Sequence, residues 1–493
     1  MKIRKEEKMK TSKIKQRIQT TLFKSLILLP FFTLYSCFVA KDYVQPDVSI
    51  QETYRGFDAK DSLTIGKIPW KKFFKDEILH SFIQKALDSN FNIRIAYQNI
   101  LKAEALYKRG KARFLPAIGL NASVTSSDFA RNSAIGQQFS NIGDQGSSNT
   151  PNRIEQYDAT VSASWEADIW GRITSLKNAE YASFLEADAS YRAIQTRLVA
   201  DIALSYYQLQ IFDEQLALAK RTVRTRENSL QTIKQLKESG QTTAVAVKQN
   251  ESQLLTAKIL VIEVEQQVGL LENTLSVLLG KAPSEISRNA LDHSNLILGM
   301  QIGVPSQLLR NRPDIIQAEY ELIKTFQLTN ASQASFYPRI TLTAEAGFQS
   351  LAFDNWFNSD SFFNNLIAGL TQPIFNRREI KTQFEVQQAE QRSVLLNFKS
   401  TVIQAQKEVS DALISYFAEG NKFKLRKEQV AALGDAEKFS NTLLANGYAN
   451  YLEVLRATDE KLAVEIELLN TLLAIRQSEV ELYKSLGGGW RIN

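Results

Sequence analysis

Few residues in this sequence have a type and spacing that could carry out bond chemistry. The only histidines, His80 and His293, stand in unrelated contexts, and Cys37 is the only cysteine, so no internal disulfide can form. The sequence contains no metal-ligand spacing, nucleophile elbow or phosphate-binding glycine loop. We therefore predict that the protein is not an enzyme and uses no cofactor or metal.

The residue whose position does suggest covalent chemistry is Cys37. It ends the apolar run SLILLPFFTLYSC (25–37), which follows a basic stretch and has the length of a secretory signal rather than of a spanning helix. LYSC resembles a lipobox, where signal peptidase cuts before a cysteine that then carries lipid, although Tyr35 is unusual there. We predict a signal peptide over 1–36 and a lipid on Cys37. The alternatives are an ordinary signal peptide with an incidental cysteine, and a start at Met9.

A single lipid anchor is weak, since each buried methylene contributes only about 0.8 kcal/mol, so a second membrane attachment is expected.

The net positive charge of the chain belongs to the leader. Residues 1–36 carry a net charge of +7, which leaves −1 for the rest of the chain out of a total of +6. The mature protein therefore lacks the basic surface that nucleic-acid binding requires.

The chain contains an internal repeat. The segment NIRIAYQNILKAEALYKRGKARFLPAIGLNASV (92–124) matches DIIQAEYELIKTFQLTNASQASFYPRITLTAEA (314–346), and ADIWGRI (167–173) matches QPIFNRR (372–378). Each copy reads helix, strand, loop, strand, helix, turn, helix. A pseudo-symmetric structure built from two copies of about 200 residues is expected.

In four stretches of about ten residues, apolar and polar residues alternate as they do in amphipathic β-strands. That length suits a tilted strand that crosses a bilayer, although a half-buried soluble sheet would alternate in the same way. A long polar loop joins the first pair and an aromatic-rich loop joins the second. The leader and the possible lipid favour the membrane interpretation. The four strands are predicted around 118–125, 157–165, 340–348 and, with less regular alternation, 365–375.

Long helices follow each pair of strands. A proline-free segment from about Arg172 to Glu238 would extend roughly 100 Å as a helix. Apolar residues recur every seven positions, which is typical of coiled-coil packing. Short turns at 237–245 and 444–454 predict two antiparallel helical hairpins. The heptad positions are Val247, Leu254, Val261, Val268 and Leu275 in the first copy, and Leu395, Val402, Val409, Leu455, Leu462 and Leu469 in the second.

Four strands cannot close a barrel alone, and lipid does not tolerate an open sheet edge. We therefore predict that several copies share one transmembrane β-barrel with four strands per chain. This mixed α/β membrane fold would continue into a long α-helical coiled-coil barrel. The apolar strand faces would meet lipid, and the polar faces, including Glu345, would line a lumen that passes solutes.

Five segments follow one another along the chain in a characteristic order: CFVAKDYVQP, SWEADIWGR, LLRNRPDIIQAEYEL, FYPRITLTAEAGF and LYKSLGGGW. Together they resemble the outer-membrane factor family, in its lipidated NodT-like branch of TolC- and OprM-type exit ducts. The resemblance implies a homotrimer with about twelve barrel strands, a periplasmic helical tunnel, palmitate at the N-terminal cysteine, and a location in the outer membrane of a Gram-negative bacterium. It also implies docking to a periplasmic membrane-fusion adaptor and an inner-membrane pump of the resistance-nodulation-division type.

The same resemblance assigns roles to the helical tips. In the family the second turn carries acidic residues that point into a closed aperture. Glu453 falls at one such position beside Asn450, whereas Arg456 departs from the pattern where a second acidic residue is common. We predict a Glu453/Arg456 ion-pair ring that helps to close the gate, against the alternative of a solvated pair. The tips expected to contact the adaptor are Gly240, Gln241, Thr242, Gly447 and Tyr448.

These inferences divide the chain into five parts. They are the signal peptide 1–36, a lipidated extended segment 37–75, a first repeat 76–282, an equatorial linker 283–304 and a second repeat 305–493. The predicted function is a passive exit duct of a tripartite efflux system, whose cargo, whether drug or metal, the pump would decide. The rival is a coiled-coil envelope scaffold without channel activity, which explains the heptads but not the strands, the leader or the repeat.

Overall fold

The computed structural model describes residues 40–48, 50–57, 63–130, 132–137, 153–291 and 302–491. Cys37 and the signal segment 1–36 lie outside the described residues. In the described part, helices and strands follow one order twice. The first copy contains α1 (Glu77–Ser89), α2 (Phe91–Ala112), β1 (Ala117–Asp128), β2 (Arg153–Ala167), α3 (Arg172–Glu238) and α4 (Ala244–Leu278). The second contains α5 (Pro313–Ala334), β3 (Arg339–Ser350), β4 (Phe362–Thr371), α6 (Glu379–Ala445) and α7 (Tyr451–Ser485).

The long helices confirm the predicted hairpins. α3 and α6 each contain 67 residues, and α4 and α7 each contain 35. Residues of the described chain form two compact units, one of 105–182 and 323–392 with the segment before Gln45, and one of the remaining residues. No helix in the described ranges is long and apolar enough to cross a membrane.

The first unit contains an antiparallel four-stranded sheet in the order β1-β2-β3-β4. In its register Val161 lies opposite Leu120 and Ala346, so side chains of one parity form an apolar face across β1, β2 and β3. On β4 this face continues through Leu366, Ala368 and Leu370 but includes Asn364 opposite Ala346. Among the described residues the outer edges of β1 and β4 have no partner strand. The two-faced strands predicted from the alternation are therefore present, and both edges of the sheet are open.

Two details of the strands differ from the predictions. The strands are unequal, with 12, 15, 12 and 10 residues. β2 is the longest because its residues from Arg153 pair with β1 and its last three residues pair only with β3. β4 begins at Phe362 and ends at Thr371 rather than spanning 365–375. Pro373 lacks the N–H that would continue the ladder, so the strand stops before it.

A proline lies between the end of the helix and the first strand of each strand hairpin: α2 ends at Ala112 and α5 at Ala334. β1 starts directly after Pro116 and β3 directly after Pro338. Two tryptophan side chains satisfy carbonyl groups at these junctions, since Trp165 donates its indole N–H to the Phe114 carbonyl at 2.9 Å and Trp170 donates to that of Pro338 at 2.7 Å. Buried or half-buried carbonyls at a helix end need such donors.

The second unit contains most of both helical hairpins, from Ser183 of α3 and Ser393 of α6 onward. The predicted heptad positions of the hairpins are buried or half-buried. Its aromatic core includes Trp70, which is fully buried, and Tyr483, which stacks on Phe73 with ring centroids 4.1 Å apart. A Cβ on Gly488 would lie 2.3 Å from the Tyr483 ring, so the glycine run in LYKSLGGGW allows the C-terminal segment to pass close to this core.

Candidate functional site

The first helical hairpin turns through Gly240, which has a left-handed backbone with φ of 74°. The Gly240 N–H donates to the Lys237 carbonyl at 3.0 Å, and the Gln241 N–H donates to the Leu236 carbonyl at 2.8 Å. These two bonds form a Schellman motif, which satisfies carbonyl groups at the end of α3.

The second hairpin repeats this turn at Gly447, whose φ is 76°. Here the Gly447 N–H donates to Leu444 at 3.1 Å and the Tyr448 N–H donates to Leu443 at 2.9 Å. A Cβ on either glycine would meet no atom within 4 Å, so the backbone angle, rather than a lack of space, favours glycine at both tips.

Each hairpin starts its second helix with a side-chain cap. Thr243 accepts a hydrogen bond from the Ala246 N–H at 3.4 Å, and Asn450 accepts one from the Glu453 N–H at 3.3 Å. The Asn450 side chain therefore has a structural task at the start of α7. The loop side chains face outward: Gln241 and Tyr448 are exposed, and Thr242 is half-buried.

Two polar contacts join the first hairpin to the second near the tips. Arg226 of α3 pairs with Asp459 of α7, and the Tyr451 hydroxyl of α7 donates to the Asn250 side-chain oxygen of α4. Arg226 is only 3% exposed and Asn250 only 1%. We call these four residues the tip latch.

Burial sets the electrostatics of the tip latch. It raises the pKa of Asp459 above the ordinary value of 3.8, although the Arg226 guanidinium opposes the shift. Burial also raises the pKa of Tyr451, against the lowering effects of the Asn250 hydrogen bond and of Arg226. A buried guanidinium without its carboxylate partner would be costly, so the pair opposes separation of the two hairpins.

Each hairpin is also held together internally. Lys461 contacts Glu437 at 2.6 Å between α7 and α6, and this hydrogen bond is the main cause that raises the Lys461 pKa. In the first hairpin Lys258 pairs with Glu227 at 3.1 Å. Ion pairs therefore join the two helices within each hairpin.

The predicted aperture residues Glu453 and Arg456 are both exposed on the first turns of α7. In the part of the chain that the structure describes, no ion pair joins them, so the expected i,i+3 pair is not formed within one chain. An exposed pair gains too little in water to hold two long side chains in one geometry. Both charges are left available to groups outside the chain.

Sequence reasoning missed the tip latch, although one signal was present. Asn250 lies at a heptad position of α4 between Val247 and Leu254, and Arg226 occupies the buried face of α3 one turn from Thr222. A polar residue at a core heptad position often fixes how helices pair. That signal could have selected Asn250, but nothing in the sequence pairs Arg226 with Asp459.

The remaining predicted site residue, Glu345, lies in strand β3 of the sheet. Its cross-strand neighbours are Ser162 and Asn365, so it stands on the polar face.

Among the described residues no cluster of three or more His, Cys, Asp or Glu side chains could hold a metal ion.

Comparison with known proteins supplies the context for this geometry. A family model described as outer membrane efflux protein matches residues 82–281 and 304–488. The solvent efflux pump outer membrane protein SrpC of Pseudomonas putida is 29% identical over 479 residues, covering 96% of this chain and 99% of SrpC. The probable outer membrane lipoprotein SilC of Salmonella typhimurium is 26% identical over 474 residues, covering 95% and 99%.

A solved structure shares the fold. The open state of the Neisseria gonorrhoeae MtrE outer membrane channel superimposes with a TM-score of 0.81 at 24% identity, covering 93% of this chain and 99% of MtrE.

Proposed function

Because this chain belongs to the outer membrane efflux protein family, we propose that three copies of it form the exit duct of a tripartite efflux system. The duct would conduct substrates passively from a periplasmic adaptor and an inner-membrane pump to the outside. Its gate would lie at the helical tips, and the tip latch would hold that gate closed.

Family membership confirms several predictions from the sequence. The chain is an outer membrane component of an efflux system and not an enzyme. The likeness to MtrE confirms the predicted fold class. A coiled-coil scaffold without channel activity is not favoured, because the family model covers both repeats.

The need for several copies rests on surfaces that one chain leaves uncovered. The outer edges of β1 and β4 are open among the described residues, and lipid would not tolerate them. α4 and α6 each carry a second apolar stripe that faces outward in the single chain. Neighbouring copies would cover both the edges and the stripes. The stripe residues are Leu255, Ile259, Ile262, Leu270 and Val277 on α4, and Leu396, Ile403, Phe417 and Leu425 on α6.

The observation that carries the gate is the tip latch. An aperture formed by hairpin tips would widen if the two hairpins of each chain separated there. Arg226–Asp459 and Tyr451–Asn250 oppose that separation. Charged side chains at the aperture, Glu453 and Arg456, would meet their counterparts from other copies near the axis and would form the predicted ion-pair ring between copies.

The exposed turns at Gly240–Thr242 and Gly447–Tyr448 are proposed to contact the adaptor, since each ends its first helix with the same backbone motif. The lumen-facing role of Glu345 is proposed from its place on the polar face. The lipid on Cys37 is proposed from LYSC, and the description of SilC as a lipoprotein supports it. The five-part division of the chain stays a prediction.

The gate is tested by conductance in planar bilayers. Arg226→Ala should raise the open probability of the purified protein at least about tenfold, because Asp459 loses its partner. Arg224→Ala is the matched control, since Arg224 is an exposed arginine half a turn away. Equal conductance of wild type, Arg226→Ala and Arg224→Ala would refute the tip latch as the closing element. Absence of conductance from every variant would refute the duct.

A further inference from the structure

The segment before Gln45 runs along α5 in a defined direction. The Lys41 carbonyl accepts a hydrogen bond from the Asn330 side-chain amide at 2.9 Å, and the Tyr43 ring meets the Phe326 ring edge-on at 5.7 Å. From Tyr43 back to Lys41 the chain thus advances by one turn of α5 toward the end of that helix. A chain that kept this direction before Lys41 would approach β3.

The remaining length to Cys37 fits this route. Lys41 lies four positions after Cys37, and four residue steps span at most about 14 Å when extended. Asn330 lies about 6 Å along the axis from Ala334, where α5 ends. The short turn to Arg339 and β3 follows. Cys37 can therefore reach the base of β3.

An apolar groove opens on the sheet close to that base. Its volume is about 340 Å³, and its described lining consists of Pro116, Ala163, Trp165, Leu342 and Ala344. Ala163 and Ala344 are cross-strand partners, and Trp165 pairs with Leu342. The two alanine methyl groups thus form the bottom of the groove, and the larger Trp165 and Leu342 side chains lie next to them.

The groove offers nothing polar to a ligand. The Trp165 indole N–H is already donated to the Phe114 carbonyl at 2.9 Å, and the other lining side chains are hydrocarbon. All four strand residues of the groove belong to the apolar face of the sheet. A linear hydrocarbon chain is the ligand that such a narrow, apolar surface fits.

We propose that this groove seats an acyl chain of the lipid attached to Cys37. The inference rests on the proposed lipidation of Cys37 and specifies where that lipid lies. The chain beyond Lys41 leads toward the groove, and a saturated acyl chain rising from the base of β3 would run along Leu342 and then Ala344. The lipid would then fasten the N-terminal segment to the sheet of its own chain, in addition to anchoring it in the membrane.

A photoactivatable palmitate analogue that carries a diazirine and an alkyne tests the proposal. Cells that express the full-length protein are fed the analogue and irradiated, and peptides of the purified protein are analysed by mass spectrometry. The expected product is a crosslink that joins the peptide containing Cys37 to strand residues 163–165 or 342–344.

Substitutions separate the groove from the rest of the lipid-facing surface. Ala344→Leu fills the groove while keeping the face apolar, and should reduce this crosslink at least about fivefold. Ala346→Leu is the matched control, on the same strand and face but outside the lining, and should leave the crosslink unchanged.

Three outcomes would overturn the proposal. Crosslinks from Cys37 spread evenly over the apolar face would show that the lipid has no fixed seat. Groove crosslinks that carry only free phospholipid would show that bulk lipid occupies the groove. Absence of any label on Cys37 would remove the proposed lipid anchor itself, a result distinct from the other two because labelling of Cys37 is measured before irradiation.

Discussion

At the scale of single residues, Arg226 matters because of where its charge is placed. An exposed arginine–aspartate pair would contribute little to stability, but Arg226 is almost fully buried and Asp459 is 38% exposed. Removing one partner from such a pair leaves a poorly solvated charge, and the hairpins would have to separate to hydrate it. The tip latch is thus stable when complete and unfavourable when broken.

This electrostatic balance makes gating depend on pH. Burial raises the pKa of Asp459, so this carboxyl takes up a proton at a higher pH than an exposed aspartate. The closed state, in which Asp459 is partly buried, therefore binds this proton more tightly than an open state in which the separated hairpins hydrate the carboxyl. Protonation favours the state with the higher pKa, so we expect the open probability in planar bilayers to fall on acidification from pH 7 to 5.

The control for this pH effect is Asp459→Asn, which cannot titrate. Its channels should respond weakly to acid. A wild-type conductance that rises on acidification, or an equal acid response in Asp459→Asn, would contradict the assignment.

The exposed charges at the aperture predict ion selectivity. Glu453 repeated around the axis favours cations, and Arg456 opposes this preference. Glu453→Ala should lower the cation-to-anion permeability ratio, and Arg456→Asp should raise it several-fold. Reversal potentials in a salt gradient measure both changes. Unchanged reversal potentials in both variants would place these residues away from the narrowest point.

At the scale of elements, most helices and strands could be predicted from the sequence. The bounds of α3 were predictable because no proline interrupts Arg172–Glu238 and glycine follows it. The strand faces followed from alternation. The start of β4 was less predictable, because Phe362 and Phe363 continue an aromatic loop and blur the period. The tip latch could not be predicted, because its residues come from three helices whose mutual register depends on tertiary packing.

A glycine in the second turn and a glycine inside α6 should respond to alanine substitution with opposite changes in stability. Gly447→Ala forces a Cβ into a left-handed backbone, which costs about 1–2 kcal/mol. Gly434→Ala lies inside α6, where a Cβ meets no atom within 4 Å of the chain, and should stabilise the helix by about 1 kcal/mol.

Thermal unfolding followed by circular dichroism would measure the two shifts. The Gly447→Ala midpoint should fall and the Gly434→Ala midpoint should rise. Shifts of the same sign in both variants would contradict the strained-turn description of the tip.

At the scale of the whole molecule, the exposed second stripes on α4 and α6 predict dependence on neighbouring copies. Ile403 is 63% exposed in the single chain, so Ile403→Glu should leave the chain folded but prevent assembly. Gln404→Glu introduces the same charge at the next exposed position and should assemble normally. Unheated gel mobility and light scattering in detergent distinguish the two. Normal assembly of Ile403→Glu would place the interface elsewhere.

The central claim, a multi-copy duct closed by the tip latch, is tested most directly by exchanging the two charges. Single-channel recordings should show frequent opening for Arg226→Asp alone and for Asp459→Arg alone, because each variant places like charges in contact. The double variant restores an opposite-charge pair and should return the open probability to within about threefold of wild type. Single variants that remain as closed as wild type, or a double variant as open as either single one, would contradict the account.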